Sequence, residues 1–299
     1  MRSRRREQPW GEFKGELERM GHELDSVLPG GPASGEAVSF VVRIHTFGRF
    51  EVVRRGECLM TGGRPPKRPL SMLKAIINSG GTEVNAAHII DMLWPESDGD
   101  AAQISFDTTL HRLRRLLGNN QAVRLRAGRL GLDPSYCWVD AWAFNDVAGR
   151  IIDLSGRKAA SGITQCILRL LPEFFGLYRG HYLDDEDGYW AVPVRERLRA
   201  KFITSLVSAG MYLEDAGEHD LAIESFRKGL DRDRAAEEFY QHLMLCYREI
   251  GQENRAMAVY DLCRTTLAAI LGLGPSTKTE DIYASLTGDD GRLAHVSRR

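Results

Sequence analysis

Nowhere in this 299-residue chain is there a run of about 18 apolar residues, so no stretch reads as a transmembrane helix. The basic start MRSRRREQPW is not followed by the apolar core of a secretory signal, and a cytoplasmic address is expected. The five cysteines (Cys58, Cys137, Cys166, Cys246 and Cys263) form no Cys-x-x-Cys pair. An odd, scattered set predicts reduced, mostly buried thiols and argues against a disulfide frame or a zinc site. Eight histidines occur without His-Glu-x-x-His or any other paired metal spacing. No Gly-x-x-x-x-Gly-Lys-Ser/Thr loop, Gly-x-Ser-x-Gly elbow, Cys/His arrangement or dinucleotide fingerprint appears. No catalytic residue, cofactor or metal is therefore expected. An excess of charge is also missing: the net value is −1, so no polyanionic partner follows from the whole chain.

The charge is unevenly placed. Residues 101–130 hold six arginines (Arg112, Arg114, Arg115, Arg124, Arg126 and Arg129) against one acid, Asp107, whereas residues 177–290 hold 13 basic and 21 acidic residues. That split is expected when one domain meets a polyanion and the other does not. Within the basic part, residues 100–117 read DAAQISFDTTLHRLRRLL. Phe106, Leu110, Leu113 and Leu117 recur at helical spacing, which predicts one buried stripe, with Asp100 as the cap. The opposite side collects Ser105, Thr108, His111, Arg112 and Arg115, with Thr109 and Arg114 on its flanks. Arginine grips a guanine edge or a phosphate with two parallel bonds, and Ser, Thr and His make short contacts to backbone oxygens. Most cationic helix faces are merely solvated, so the neighbouring elements decide the reading.

Those neighbours fit together. Residues 122–139 read as a hairpin in which Arg124, Arg126 and Arg129 share one side while Val123, Leu125, Leu130 and Leu132 face a core. Upstream, residues 38–58 are rich in β-branched and aromatic side chains, with Gly48 and Gly56 at turns, and predict a small antiparallel sheet. Pro65, Pro66 and Pro69 lead into a helix with Leu70, Leu73, Ile76 and Ile77 on its apolar face. Asn85 then caps a short helix that buries Ile89, Ile90, Leu93 and Trp94 and stops at Pro95. Strands, three helices of which the last is cationic, and a basic hairpin follow the order of a winged helix-turn-helix, an α+β domain. The predicted divisions are an N-terminal arm with a short amphipathic helix (1–37), this domain (38–147), an all-α domain (148–288) and a flexible tail (289–299).

The all-α part repeats. Gly217, Ala222, Ile223 and Phe226 recur 34 residues later as Gly251, Ala256, Met257 and Tyr260, the period of tetratricopeptide-like helical hairpins. Small residues there let paired helices approach, and the aromatic fills the gap to the next hairpin. Further helices are expected near 161–177, 193–215 and 276–286. The acidic run Asp184-Asp185-Glu186-Asp187 reads as an exposed loop.

The first domain resembles the OmpR-type DNA-binding domain in FGRFEVVRRGE, in Leu93-Trp94-Pro95, in LHRLRRLLG and in Val139-Asp140-Ala141-Trp142-Ala143-Phe144. Where the wing of such domains often carries Gly-Tyr-x-Leu, this chain has Gly128-Arg129-Leu130-Gly131-Leu132. The second half resembles the bacterial transcriptional activation domain in Leu177-Tyr178-Arg179-Gly180-His181-Tyr182-Leu183, in Trp190 with Arg195-Glu196-Arg197-Leu198, in Glu238-Phe239-Tyr240-Gln241-His242-Leu243-Met244, and in Leu271-Gly272-Leu273-Gly274-Pro275-Ser276. It departs at Leu230-Asp231-Arg232, where Leu-Asp-Pro is usual. The order of the two resembles the streptomycete antibiotic regulatory proteins, and the wording is similar to the tails of larger regulators of that type. The resemblance implies a cytoplasmic transcriptional activator that binds double-stranded promoter DNA at direct repeats, as a pair of protomers, and contacts RNA polymerase. The other reading left open is a helical-repeat interaction module whose winged domain does not bind DNA.

Overall fold

The computed structural model describes residues 41–60 and 66–287. The expected N-terminal arm (1–37) and tail (289–299) lie outside the described residues, as does Pro65. Among those described, a mixed α+β region is followed by a helical one.

Strands β1 (Val42–His45), β2 (Glu51–Arg54) and β3 (Glu57–Cys58) pair antiparallel, with Val42, Ile44 and Val52 fully buried on one face. Helix α1 (Lys67–Asn78) buries Leu70, Leu73, Ile76 and Ile77 as its spacing predicts. The short β4 (Val84–Asn85) leads into α2 (Ala86–Leu93), where the Asn85 side chain accepts a hydrogen bond from the Ala87 N–H at 3.0 Å. Of the four apolar residues expected to bury here, only Ile89 does so fully; Ile90, Leu93 and Trp94 are half-buried. Helix α3 (Gly99–Leu117) starts two residues earlier than a cap at Asp100 would place it. Asp100 lies in its first turn and is not the cap; Asp98 holds that position and makes no side-chain capping bond.

Strands β5 (Val123–Arg126) and β6 (Arg129–Leu132) form the basic hairpin, and β4 adds to its edge. The two-residue turn Ala127-Gly128 has both φ values positive, 48° and 74°, the conformation whose twist suits a tight hairpin. The next strand, β7 (Cys137–Val139), does not extend this hairpin as expected. It crosses to pair parallel with β1, so the first sheet is mixed, in the order β3-β2-β1-β7.

The helical region comprises α4 (Asp140–Ser155), α5 (Ser161–Leu177), α6 (Val192–Asp215), α7 (His219–Arg232), α8 (Glu237–Glu249), α9 (Glu253–Leu271) and α10 (Thr277–Thr287). Residues 147 and 148, the expected domain boundary, both lie inside α4. Ala222, Phe226 and Ala256 are fully buried at their repeat positions. Gly210 on α6 has a packing reason, because a Cβ there would overlap the Phe226 ring. Tyr260 is only half-buried, stacks on Tyr283 of α10 at 3.9 Å and donates to Glu280 at 2.9 Å, so it fastens the last helix instead of filling a core gap. The five cysteines form no disulfide, and three of them, Cys137, Cys246 and Cys263, are buried.

The two regions are clamped where β1 ends. Phe47 forms a bridge to Tyr182, the Gly48 N–H donates to the His181 carbonyl at 2.9 Å and the Leu183 N–H donates to the Thr46 carbonyl at 2.7 Å. Asp140, at the start of α4, is buried and accepts from the Thr46 N–H at 2.8 Å, the Thr46 hydroxyl at 2.6 Å and the Phe47 N–H at 3.1 Å. Burial pushes its carboxyl above the ordinary value even though these donors pull the other way. Phe47, Tyr178, Phe202, Phe239 and Phe226 continue as a run of ring contacts 4.0 to 6.1 Å apart through the helical core. The run Asp184-Asp185-Glu186-Asp187 is not merely a solvated loop: Lys74 of α1 donates to Asp185 at 3.4 Å and Glu186 at 3.2 Å.

Candidate nucleic-acid interface

Helix α3 separates its two sides cleanly. Phe106, Leu110, Leu113 and Leu117 are buried, as their spacing requires. Ile104, Thr108, His111 and Arg115 repeat that spacing two residues earlier, so at 100° per residue they run down the opposite line of the helix. All four are exposed, and so is Arg112 beside them. This outward line is about 16 Å long at 1.5 Å per residue. The flanks behave differently. Thr109 is buried with 5% exposure and does not join the face, because its position on the wheel falls beside the Phe106–Leu113 stripe. Ser105 is half-buried. Arg114 is half-buried too, and its Nε donates to the Val123 carbonyl at 2.9 Å, so it ties α3 to β5 instead of offering a free fork. Asp107 is held at the edge, accepting from the Gln103 amide at 3.3 Å.

The hairpin supplies the second cationic element. Val123, Leu130 and Leu132 are buried and Leu125 is half-buried, while Arg124, Arg126 and Arg129 are exposed on the other side. Arg126 and Arg129 are direct cross-strand partners, and Arg124 stands opposite Gly131. Like charges facing each other across a ladder repel, and a bound anion relieves that repulsion. The three are not equivalent. Arg124 is ion-paired with the buried Asp133, and Arg129 donates to the Glu83 carbonyl at 3.4 Å. Arg126 has no ion pair among the described residues.

Sequence reasoning missed two features. A shallow concavity beside the C-terminal half of α3 is walled by Arg54, Lys67, Arg68, Arg112 and Arg115 over an apolar floor that includes Leu59, Pro69 and Leu116. Arg54 donates to the Leu116 carbonyl at 3.1 Å and Arg68 to the Leu93 carbonyl at 3.2 Å, which fixes both guanidinium groups at the last turns of α3 and α2. No local pattern announces this gathering, since three separate segments contribute to it. The second feature is Ile104, 67% exposed at the N-terminal end of the outward line. Its signal was available, because it lies opposite the buried stripe. The start of α3 is the reverse of cationic: Glu96, Asp98 and Asp100 are all exposed.

Among the described residues, no group of three or more His, Cys, Asp or Glu is placed to hold a metal ion, and no helix is long and apolar enough to cross a membrane.

Comparison with known proteins bears on both regions. Residues 139–287 match the profile of the Bacterial transcriptional activator domain. The chain is similar to the Regulatory protein AfsR of Streptomyces griseus, 26% identical over 270 residues and 89% of its length, and to the Regulatory protein AfsR of Streptomyces coelicolor, 28% identical over 271 residues and 90%. In both cases the match covers 26% of the relative, so the chain spans about a quarter of the length of these regulators. Among solved structures, Mycobacterium tuberculosis EmbR in complex with a low affinity phosphopeptide has the same fold, with a TM-score of 0.61 over 83% of this chain and 65% of that one, at 17% identity.

Proposed function

Because residues 139–287 match the Bacterial transcriptional activator domain, we propose that this chain is a DNA-binding transcriptional activator. Residues 38–147 act as a winged helix-turn-helix and residues 148–288 as a tetratricopeptide-like activation domain, with α4 shared between them. Helix α3 lies in the major groove and presents Thr108, His111, Arg112 and Arg115 to base edges and flanking phosphates, while Ser105 reaches the rim. Recognition helices commonly read bases from their first residues. Here Glu96, Asp98 and Asp100 would repel phosphates at that end, so reading starts from the second turn. The β5–β6 hairpin sets Arg126 and, with part of their capacity already used, Arg124 and Arg129 on the phosphate backbone. Arg114 positions the hairpin against α3. Thr109, being buried, has no part in the contact. The helical region contacts RNA polymerase, and two protomers occupy direct repeats, as the resemblance implies.

The observation that carries this proposal is the outward line of α3: four residues at the same spacing as the core stripe, exposed, and joined at its side by an arginine with no acidic partner among the described residues. Selection of duplexes from a randomised pool by the purified chain tests it. A shared sequence motif is the expected product. A pool that stays unenriched rejects the proposal.

A second reading takes the chain as a protein-interaction module whose winged region does not meet DNA. It draws on Leu262, Ile270, Leu271 and Leu273, which are 50 to 63% exposed on and after α9. Capture of RNA polymerase subunits together with specific DNA rejects this reading, whereas a protein partner retained after nuclease treatment, with no duplex enriched, favours it.

A further inference from the structure

Resting on the DNA-binding proposal, we infer that the concavity beside the C-terminal half of α3 is a phosphate seat, which takes the backbone of the DNA strand across the major groove from the β5–β6 hairpin. Its wall holds Arg54 of β2, Lys67 and Arg68 of α1, and Arg112 and Arg115 of α3, and no carboxylate lines it. None of these side chains has an ion pair among the described residues. Like charges gathered in one hollow repel one another, and an anion placed among them relieves that repulsion. The start of α1 adds to the imbalance. Pro66 stands at its cap position without a side-chain capping bond, and the first turn carries Lys67 and Arg68 and no acid, although cations are disfavoured at the positive end of a helix. Both side chains are exposed. Helix stability does not account for the pair, whereas an anion at that end would.

Helical geometry decides which strand supplies it. Residues two apart on a helix point about 200° apart, so Arg114 projects from the flank of α3 opposite Arg112 and Leu116. Arg114 donates to the Val123 carbonyl of β5, which marks its flank as the hairpin's. Arg112 and Leu116 line the concavity. Hairpin and concavity therefore border α3 on opposite sides. A helix about 10–12 Å across fills a major groove about 12 Å wide, and the backbones of the two strands run along its two sides. With the hairpin on one backbone, the concavity meets the other. Its floor suits that ligand, because a nucleic-acid backbone alternates phosphates with the apolar faces of its sugars, and Leu59, Pro69 and Leu116 lie beneath the cations. Arg54 and Arg68 each give one N–H to a carbonyl and keep their remaining donors for a phosphate.

The test uses the full chain and a duplex enriched from a randomised pool. Each phosphate is replaced in turn by a neutral methylphosphonate, and affinity is read by fluorescence anisotropy. The wild type should lose about ten-fold, the worth of one charge-assisted contact, at a phosphate that Lys67→Ala/Arg68→Ala no longer senses. That phosphate should lie on the strand opposite the one whose methylphosphonate Arg126→Ala no longer senses. The slope of log affinity against log salt should be shallower by about two in the double variant. Lys67→Gln, at an exposed side chain, should lower it by about one with unchanged melting, which ties the loss to DNA contact. A double variant that senses every methylphosphonate as the wild type does overturns this inference and leaves the DNA-binding proposal standing. A matching phosphate on the hairpin's own strand overturns it too. If inorganic phosphate, at an ionic strength matched with chloride, raises the melting temperature of the wild type but not of the double variant while their methylphosphonate profiles agree, the concavity holds a free phosphate and the strand placement falls. A pool that enriches no site removes both proposals.

Discussion

Arg112 and Arg115 of α3 and Arg195 and Arg199 of α6 are equally charged and stand in opposite bonding states. On α6, Arg195 donates to the carbonyls of Tyr182, Leu183 and Glu186, and Arg199 donates to the buried Asp233 at 2.6 Å. Both are committed to holding the segment after α5 and the turn before α8. On α3, Arg112 and Arg115 are exposed and no ion pair engages them among the described residues. On the proposed function, what separates a binding cation from a structural one is what it leaves unsatisfied. Counting arginines finds candidates, and the bonding of each one sorts them. The hairpin contains both kinds, with Arg124 committed to Asp133 and Arg126 open.

The largest effect expected from this contrast is on stability. Arg199→Ala removes the ion-pair partner of a carboxylate that is 3% exposed and leaves it the Ala235 N–H, and a buried charge stripped of its counter-ion costs about 3 kcal/mol. Arg112→Ala should change stability by less than about 0.5 kcal/mol. Chemical denaturation of the two variants measures both, and equal losses would erase the contrast. The order should invert for DNA. Arg112→Ala or Arg115→Ala is expected to relax sequence choice by about 1–3 kcal/mol at one base pair, read as the preference between the enriched site and its single-base variants. Arg199→Ala, at a concentration of folded protein matched to the wild type, should keep the preference intact.

A smaller and different change is expected at the hairpin. Arg126→Ala should weaken all sequences alike and lower the slope of log affinity against log salt by about one, whereas Arg124→Ala should lower it by less, because Asp133 already holds that side chain. Equal slopes for the two variants would show that the ion pair does not restrain Arg124.

The least effect concerns the far end of the molecule. Glu237 accepts from the Ser276 N–H at 2.7 Å and from the Thr279 hydroxyl, which pins the start of α10. Burial alone would raise its carboxyl, but these donors outweigh it and hold the group below the ordinary 4.5. A depressed carboxylate stabilises the fold fully above that ordinary value, and the contribution disappears as pH falls through the lowered one. The protection of α10 amides relative to their intrinsic exchange rates should therefore fall below about pH 4.5 in the wild type, and Glu237→Gln should remove that acid-dependent step. Identical acid profiles in the two proteins would assign the anchor elsewhere.

Periodicity made much of this molecule readable before any coordinates. The stripe Phe106–Leu117, the alternation of Arg124 and Arg126 with Val123 and Leu125, and the 34-residue repeat are local patterns fixed by the geometry of helix and strand. Pairings between distant segments were not readable. Nothing in residues 137–139 announces that they leave the hairpin to lie parallel to residues 42–44, and nothing around Asp140 shows that Thr46 will donate to it. The same limit explains the site. Thr109 sits at the margin of the stripe, where a small rotation decides between burial and exposure, and Arg114 is diverted by a carbonyl nine residues later. Ile104 was overlooked because a search for cations passes over an apolar residue on the same line.

The central claim is that the outward line of α3, with the open arginine of the hairpin, holds DNA. Titration of one enriched duplex over a range of salt concentrations, with the wild type and an Arg112→Ala/Arg115→Ala/Arg126→Ala variant of matched folding, tests it most directly. The variant's log–log slope should be shallower by at least about one, the share of Arg126, and by up to about three where Arg112 and Arg115 also lie on phosphates, with affinity reduced to the non-specific level. An unchanged slope and affinity would place the DNA, if any binds, on some other surface and contradict the account.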